Sequence, residues 1–78
     1  MDIDNLVRMA NRIGEFFAAL PDAHEAQAGI ANHLQRFWDP RMRREIVAHV
    51  ANGGAGLNEI VREAIAANRD ELVPGHGR

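Results

Sequence analysis

Apolar residues recur every three or four positions along most of the chain, a spacing that predicts helices and not strands. Leu6, Met9, Ala10, Ile13, Phe17 and Leu20 form the first stripe, so a helix is expected over residues 4–20. Asp2 and Asp4 stand where a carboxylate can accept the free N–H groups of a first helical turn. Pro21 disfavours helical geometry at the residue before it and should end this helix. Ala26, Ile30, Leu34 and Phe37 or Trp38 form a second stripe, placed over residues 23–37. It opens on Asp22 with Glu25 three residues later, a capping box with Asp in the usual Ser or Thr place.

The third helix, over residues 40–51, has the clearest start, with Asp39 as N-cap and Pro40 as first helical residue. Met42, Ile46, His49 and Val50 carry its stripe, and Asn52-Gly53 should end it by tolerating a left-handed backbone. Leu57, Ile60, Val61, Ala64 and Ile65 define a fourth helix over residues 57–68, with Leu72 on its far side. No alternating run of β-branched and aromatic residues occurs. The expected fold is all-α, a four-helix domain whose first two helices make an antiparallel hairpin. It should occupy residues 1–72, with 73–78 as a tail.

Two glycines fall inside these helices, each costing about 1 kcal/mol relative to Ala. Gly14 and Gly29 lie equally far from the ends of the expected hairpin. They are therefore expected to face each other and let the two backbones approach.

Composition narrows the chemistry. Of 78 residues, nine are basic and eleven acidic, a net −2 that opposes a strongly cationic nucleic-acid or membrane-surface binder. Every basic residue is Arg, and Lys, Cys, Ser, Thr and Tyr are all absent. Covalent catalysis would fall to a carboxylate or a histidine. Cysteine-based zinc sites, iron–sulfur ligation and disulfides are excluded. The acidic N-terminus is unlike a secretory signal, no apolar run reaches the roughly 20 residues that span a bilayer, and a cytoplasmic protein is expected. With thirteen alanines among its apolar residues, so small a domain gains from a partner protein.

Most local motifs have plain readings. His24-Glu25 begins like the zinc signature H-E-x-x-H, but Ala28 stands where the second His belongs. His33 and His49 lie on different helices and would need the fold to unite them around a metal. Gly53-Gly54-Ala55-Gly56 precedes a helix but follows a helix too, and no Lys accompanies it, so it reads as a helix stop and turn.

One segment resists such an account: Phe37-Trp38-Asp39-Pro40-Arg41-Met42-Arg43-Arg44. Three arginines in the first turns of a helix oppose its dipole. The chain's only Trp precedes them, and Trp and Arg are the side chains most enriched in interface hot spots. This segment is the candidate partner interface; the alternative is a Trp that closes the local core beside solvated arginines, and both hold if the indole lies inside and the guanidiniums outside. Arg41 and Arg44 share a face while Arg43 points elsewhere. One arginine is expected to pair inside the domain, with Asp39 or Glu45, while another reaches a partner. A rival reading makes this a helix-turn-helix DNA-binding regulator with an Arg-rich reading helix; the net charge and the lack of Ser, Thr and Tyr for phosphate contacts oppose it.

The same residues carry a family likeness. Residues 16–22, 25–34 and above all Phe37-Trp38-Asp39-Pro40-Arg41-Met42-Arg43 resemble the delta subunit of NAD-dependent formate dehydrogenase, over about residues 6–66. The resemblance implies a small accessory subunit of a cytoplasmic hetero-oligomer that oxidises formate to CO2 and reduces NAD. It implies no catalytic, cofactor or metal residue in this chain. The bis-pterin guanine dinucleotide molybdenum (or tungsten) centre and iron–sulfur clusters would belong to the large catalytic subunit, and FMN to the flavin/NADH module. The delta subunit would support assembly or stability, with residues 37–43 as the matched contact surface.

Overall fold

The computed structural model describes residues 2–74. They form α1 (Ile3–Phe17), α2 (Ala23–Phe37), α3 (Pro40–Ala51), α4 (Glu59–Ala67) and a single-turn α5 (Arg69–Leu72), with no strand among them. Three of the starts follow from one device. Asp2, Asp22 and Asp39 each have extended backbone and accept a first-turn N–H, from Asp4, His24 and Met42 at 3.0, 2.8 and 3.0 Å. The carboxylates thus bind donors that the helix itself cannot satisfy.

The four-helix description fits, and α2 and α3 have the expected bounds. Two ends differ. The first helix stops at Phe17 rather than Leu20, because Ala19 and Leu20 donate to Phe16 and Phe17, three residues back, in a tightened final turn. The fourth begins at Glu59 rather than Leu57. Leu57 is held in a turn by its N–H to the Gly54 carbonyl, and the Asn58 N–H is taken by Asn11 of α1 at 2.8 Å. The Asn11 side chain also donates to the Gly56 carbonyl at 2.9 Å. One amide thus grips both ends of a tripeptide forty-five residues away.

The α3 stop is the expected one. Gly53 and Gly54 have φ of 110° and 67°, and their N–H groups return to Val50 and His49 at 3.0 and 2.9 Å. This is the paired-bond Schellman arrangement, which needs a left-handed residue after the helix. His49 braces the far side of the turn, its Nε2 2.8 Å from the Ala55 carbonyl. Asn68 separates α4 from α5 and bonds the Ala64 carbonyl at 2.8 Å.

The helical stripes meet in one core of Leu6, Ala10, Ile30, Leu34, Trp38, Ile46, Val61, Ala64, Ile65 and Leu72, with α2 packed on both α1 and α4. Val73, assigned to the tail by its sequence position, is half-buried and packs on this core. Residues 75–78 of that tail lie outside the described residues, as does Met1.

The glycine expectation is corrected. A Cβ on Gly14 would run into Val61 of α4, and one on Gly29 would lie 2.5 Å from the Phe17 ring. Each glycine permits a close approach, but to a different neighbour. Gly14 seats α1 against α4, whereas Gly29 makes the slot that holds Phe17.

Candidate functional site

Helix α2 passes into α3 through only two residues, Trp38 and Asp39, both extended. That abrupt turn sorts the eight residues of the candidate interface into two groups. Trp38 is 6% exposed and belongs to the core, with Met42 half-buried against it. Asp39 and Pro40 are exposed and form the α3 cap. Arg43 folds back on the end of α2, its Nη1 donating to the Gln35 carbonyl at 2.7 Å. This satisfies a carbonyl that the end of a helix leaves free, and a cation is favoured there. Arg43 Nε is buried and makes no hydrogen bond among the described residues.

One arginine therefore does pair inside the domain, but with a carbonyl. Asp39 was an expected partner, yet its carboxylate is committed to the Met42 N–H. Phe37, Arg41 and Arg44 face outward. Arg41 and Arg44 make no hydrogen bond or ion pair among the described residues, so their charge is free for a partner.

Phe37 joins this turn to a second feature that the hydrophobic pattern missed. Phe16 is 75% exposed and Phe37 is 69% exposed, although burial of such rings is among the largest gains available to a small domain. Phe16 stands edge-on to Phe17 at 5.1 Å between ring centroids. Phe17 lies 6.4 Å from His33, and His33 lies 4.8 Å from Phe37. The Arg36 guanidinium sits 5.8 Å above the Phe37 ring, within cation–π range. Together these side chains make an aromatic ridge from α1 to the end of α2. A shallow depression of about 350 Å³ beside it is lined by Arg12, Ile13, Phe16, Phe17 and His33.

Two sequence signals pointed to the ridge. Adjacent helical residues step about 100° around the axis, so Phe16 and Phe17 could not both enter the core. His33 and Phe37 are four apart and necessarily share a face. Grouping Phe37 with Trp38 as one core position hid the second signal.

The histidines are engaged separately, His33 in the ridge and His49 at the glycine turn. Among the described residues no group of three or more His, Asp or Glu is placed to hold a metal ion. No described helix is long and apolar enough to cross a membrane.

Fold and surface together define the class: a small all-helical domain that presents arginines and aromatic rings outward and uses many of its other polar side chains in caps and loop clamps. The sequence comparison then gives the family. The chain belongs to the family of the NADH-dependent formate dehydrogenase delta subunit FdsD, whose family model matches residues 5–65. The match takes in α2, α3 and most of α1 and α4, including both outward-facing features, and the likeness read from residues 6–66 is borne out. No curated protein and no solved structure gives a significant match to the chain.

Proposed function

We propose that this chain is the non-catalytic delta subunit of a cytoplasmic NAD-dependent formate dehydrogenase. In this reading it docks on the large molybdenum catalytic subunit and supports assembly or stability of the complex that oxidises formate to CO2. The family match carries the proposal. The side-chain inventory supports it: a chain without Cys, Ser, Thr, Tyr or Lys has few groups for covalent catalysis or cluster ligation. The bis-pterin molybdenum centre, the iron–sulfur clusters and FMN would then reside in partner subunits, including the flavin/NADH module.

The turn at residues 37–44 is the proposed contact with the catalytic subunit. Phe37, Arg41 and Arg44 make the contact, while Trp38, Asp39, Pro40, Met42 and Arg43 shape and hold the turn. Arg41 and Arg44 are suited to carboxylates or carbonyls of a partner, since a guanidinium presents a rigid fork of donors. No geometric observation favours the DNA-binding alternative, in which all three arginines would be presented, because Arg43 is turned onto the end of α2.

The test is co-purification of tagged variants with the other formate dehydrogenase subunits. Arg41→Ala or Arg44→Ala should weaken assembly by about 1–3 kcal/mol for a desolvated, hydrogen-bonded pair. A contact at an exposed rim would give about 0–1 kcal/mol. The far-ultraviolet circular dichroism of the isolated chain should stay unchanged. If both variants assemble like the parent chain, this turn is not the interface.

A further inference from the structure

The aromatic ridge is distinct from the arginine turn and meets it only at Phe37. Its two most exposed rings sit at opposite ends, with Phe17 and His33 filling the space between them. An exposed apolar surface bounded by polar residues marks an interaction site more often than chance placement. Two arginines stand beside it. Arg12 lines the depression and makes no hydrogen bond or ion pair among the described residues. Arg36 has only the Phe37 ring, and no carboxylate lines the depression.

Taking the reading above as its basis, we infer that this ridge seats an amphipathic, acidic helix of a partner subunit of the formate dehydrogenase. Two features of the surface fix that chemistry. Successive rings are 4.8–6.4 Å apart, close to the roughly 6 Å that separates helical side chains four residues apart. The occupant's apolar side chains therefore repeat at three and four residues, the helix-in-groove mode of recognition. Arg12 and Arg36 at the border select carboxylates beside those apolar anchors. A second copy of this chain is disfavoured, because a two-fold contact through the ridge would bring the same guanidiniums to its border from both sides.

The experiment uses the full chain co-expressed with the other formate dehydrogenase subunits. Phe16→Ser should lower the co-purified partner by about tenfold or more, since aromatic anchors dominate interface energies. Arg12→Glu combined with Arg36→Glu should do the same, while both variants keep the parent's thermal melting curve. With the photoreactive substitution Phe16→p-benzoylphenylalanine, the cross-linked peptide should carry apolar residues at helical spacing with Asp or Glu among them. Variants at Phe16, Arg12 and Arg36 that retain partner like the parent would overturn the inference and leave the proposed function standing. A cross-link to a second copy of this chain, or to a segment without carboxylates, would also overturn it. If the parent chain itself fails to co-purify, the proposed function falls and this inference with it.

Discussion

Trp38→Ala is expected to lower the stability of the isolated domain by about 3–5 kcal/mol. The indole is 6% exposed and packs with Ile46, Leu34 and the rest of the single core. It also occupies the two-residue corner between α2 and α3, where no neighbouring side chain can slide along a helix to fill the space. A chain of this length has a total stability of about 4–12 kcal/mol, so the change removes a large part of it. Urea unfolding followed by circular dichroism measures the loss. The midpoint should fall steeply while the slope stays near the parent value. A loss below about 1 kcal/mol would mean that the indole is not a core side chain.

Gly14→Ala is expected to destabilise by about 1–3 kcal/mol, the cost of forcing extra volume into a packed interior. On helix propensity alone the same change should stabilise by about 1 kcal/mol, so the sign decides between the two effects. The added methyl would overlap Val61, which is fully buried and has no open side to move toward. Gly29→Ala offers the contrast. Its new methyl meets the ring of Phe17, the outer part of a half-buried side chain, and the ring can swing toward solvent. There the propensity gain offsets most of the clash, and the net change should be within about 1 kcal/mol of zero. Combining Gly14→Ala with Val61→Ala should recover part of the loss, because the two sites share one contact and do not add independently.

The helix starts were legible because capping is local. Asp2, Asp22 and Asp39 each act on a backbone group two or three residues ahead, within the reach of a sequence pattern. The α3 stop was legible for the same reason, since the glycines after Asn52 supply a backbone that few other residues tolerate. What failed was long-range. Nothing near Leu57 in sequence announces that Asn11 will claim Asn58 and Gly56, so the fourth helix appeared two residues longer at its start. The cost of Gly14 and Gly29 was visible in the sequence, but their neighbours depend on which helices cross, and α4 intervened. In the candidate interface, the pairing of Arg43 required knowing that α3 turns back on the end of α2. Phe16 was legible in principle, as one ring of a helical doublet must face away from the core. The family came from likeness in residues such as 37–43, since no single spacing or composition identifies a formate dehydrogenase subunit.

A docked, non-catalytic subunit travels with its complex and carries no activity of its own. The most direct measurement is size-exclusion chromatography of the tagged chain co-expressed with the formate dehydrogenase subunits, each fraction assayed for formate-dependent NAD reduction. The chain should elute with the large complex and its activity, and the purified chain alone should reduce no NAD. Elution of the chain only at its own small size, apart from the active complex, would contradict its role as a subunit.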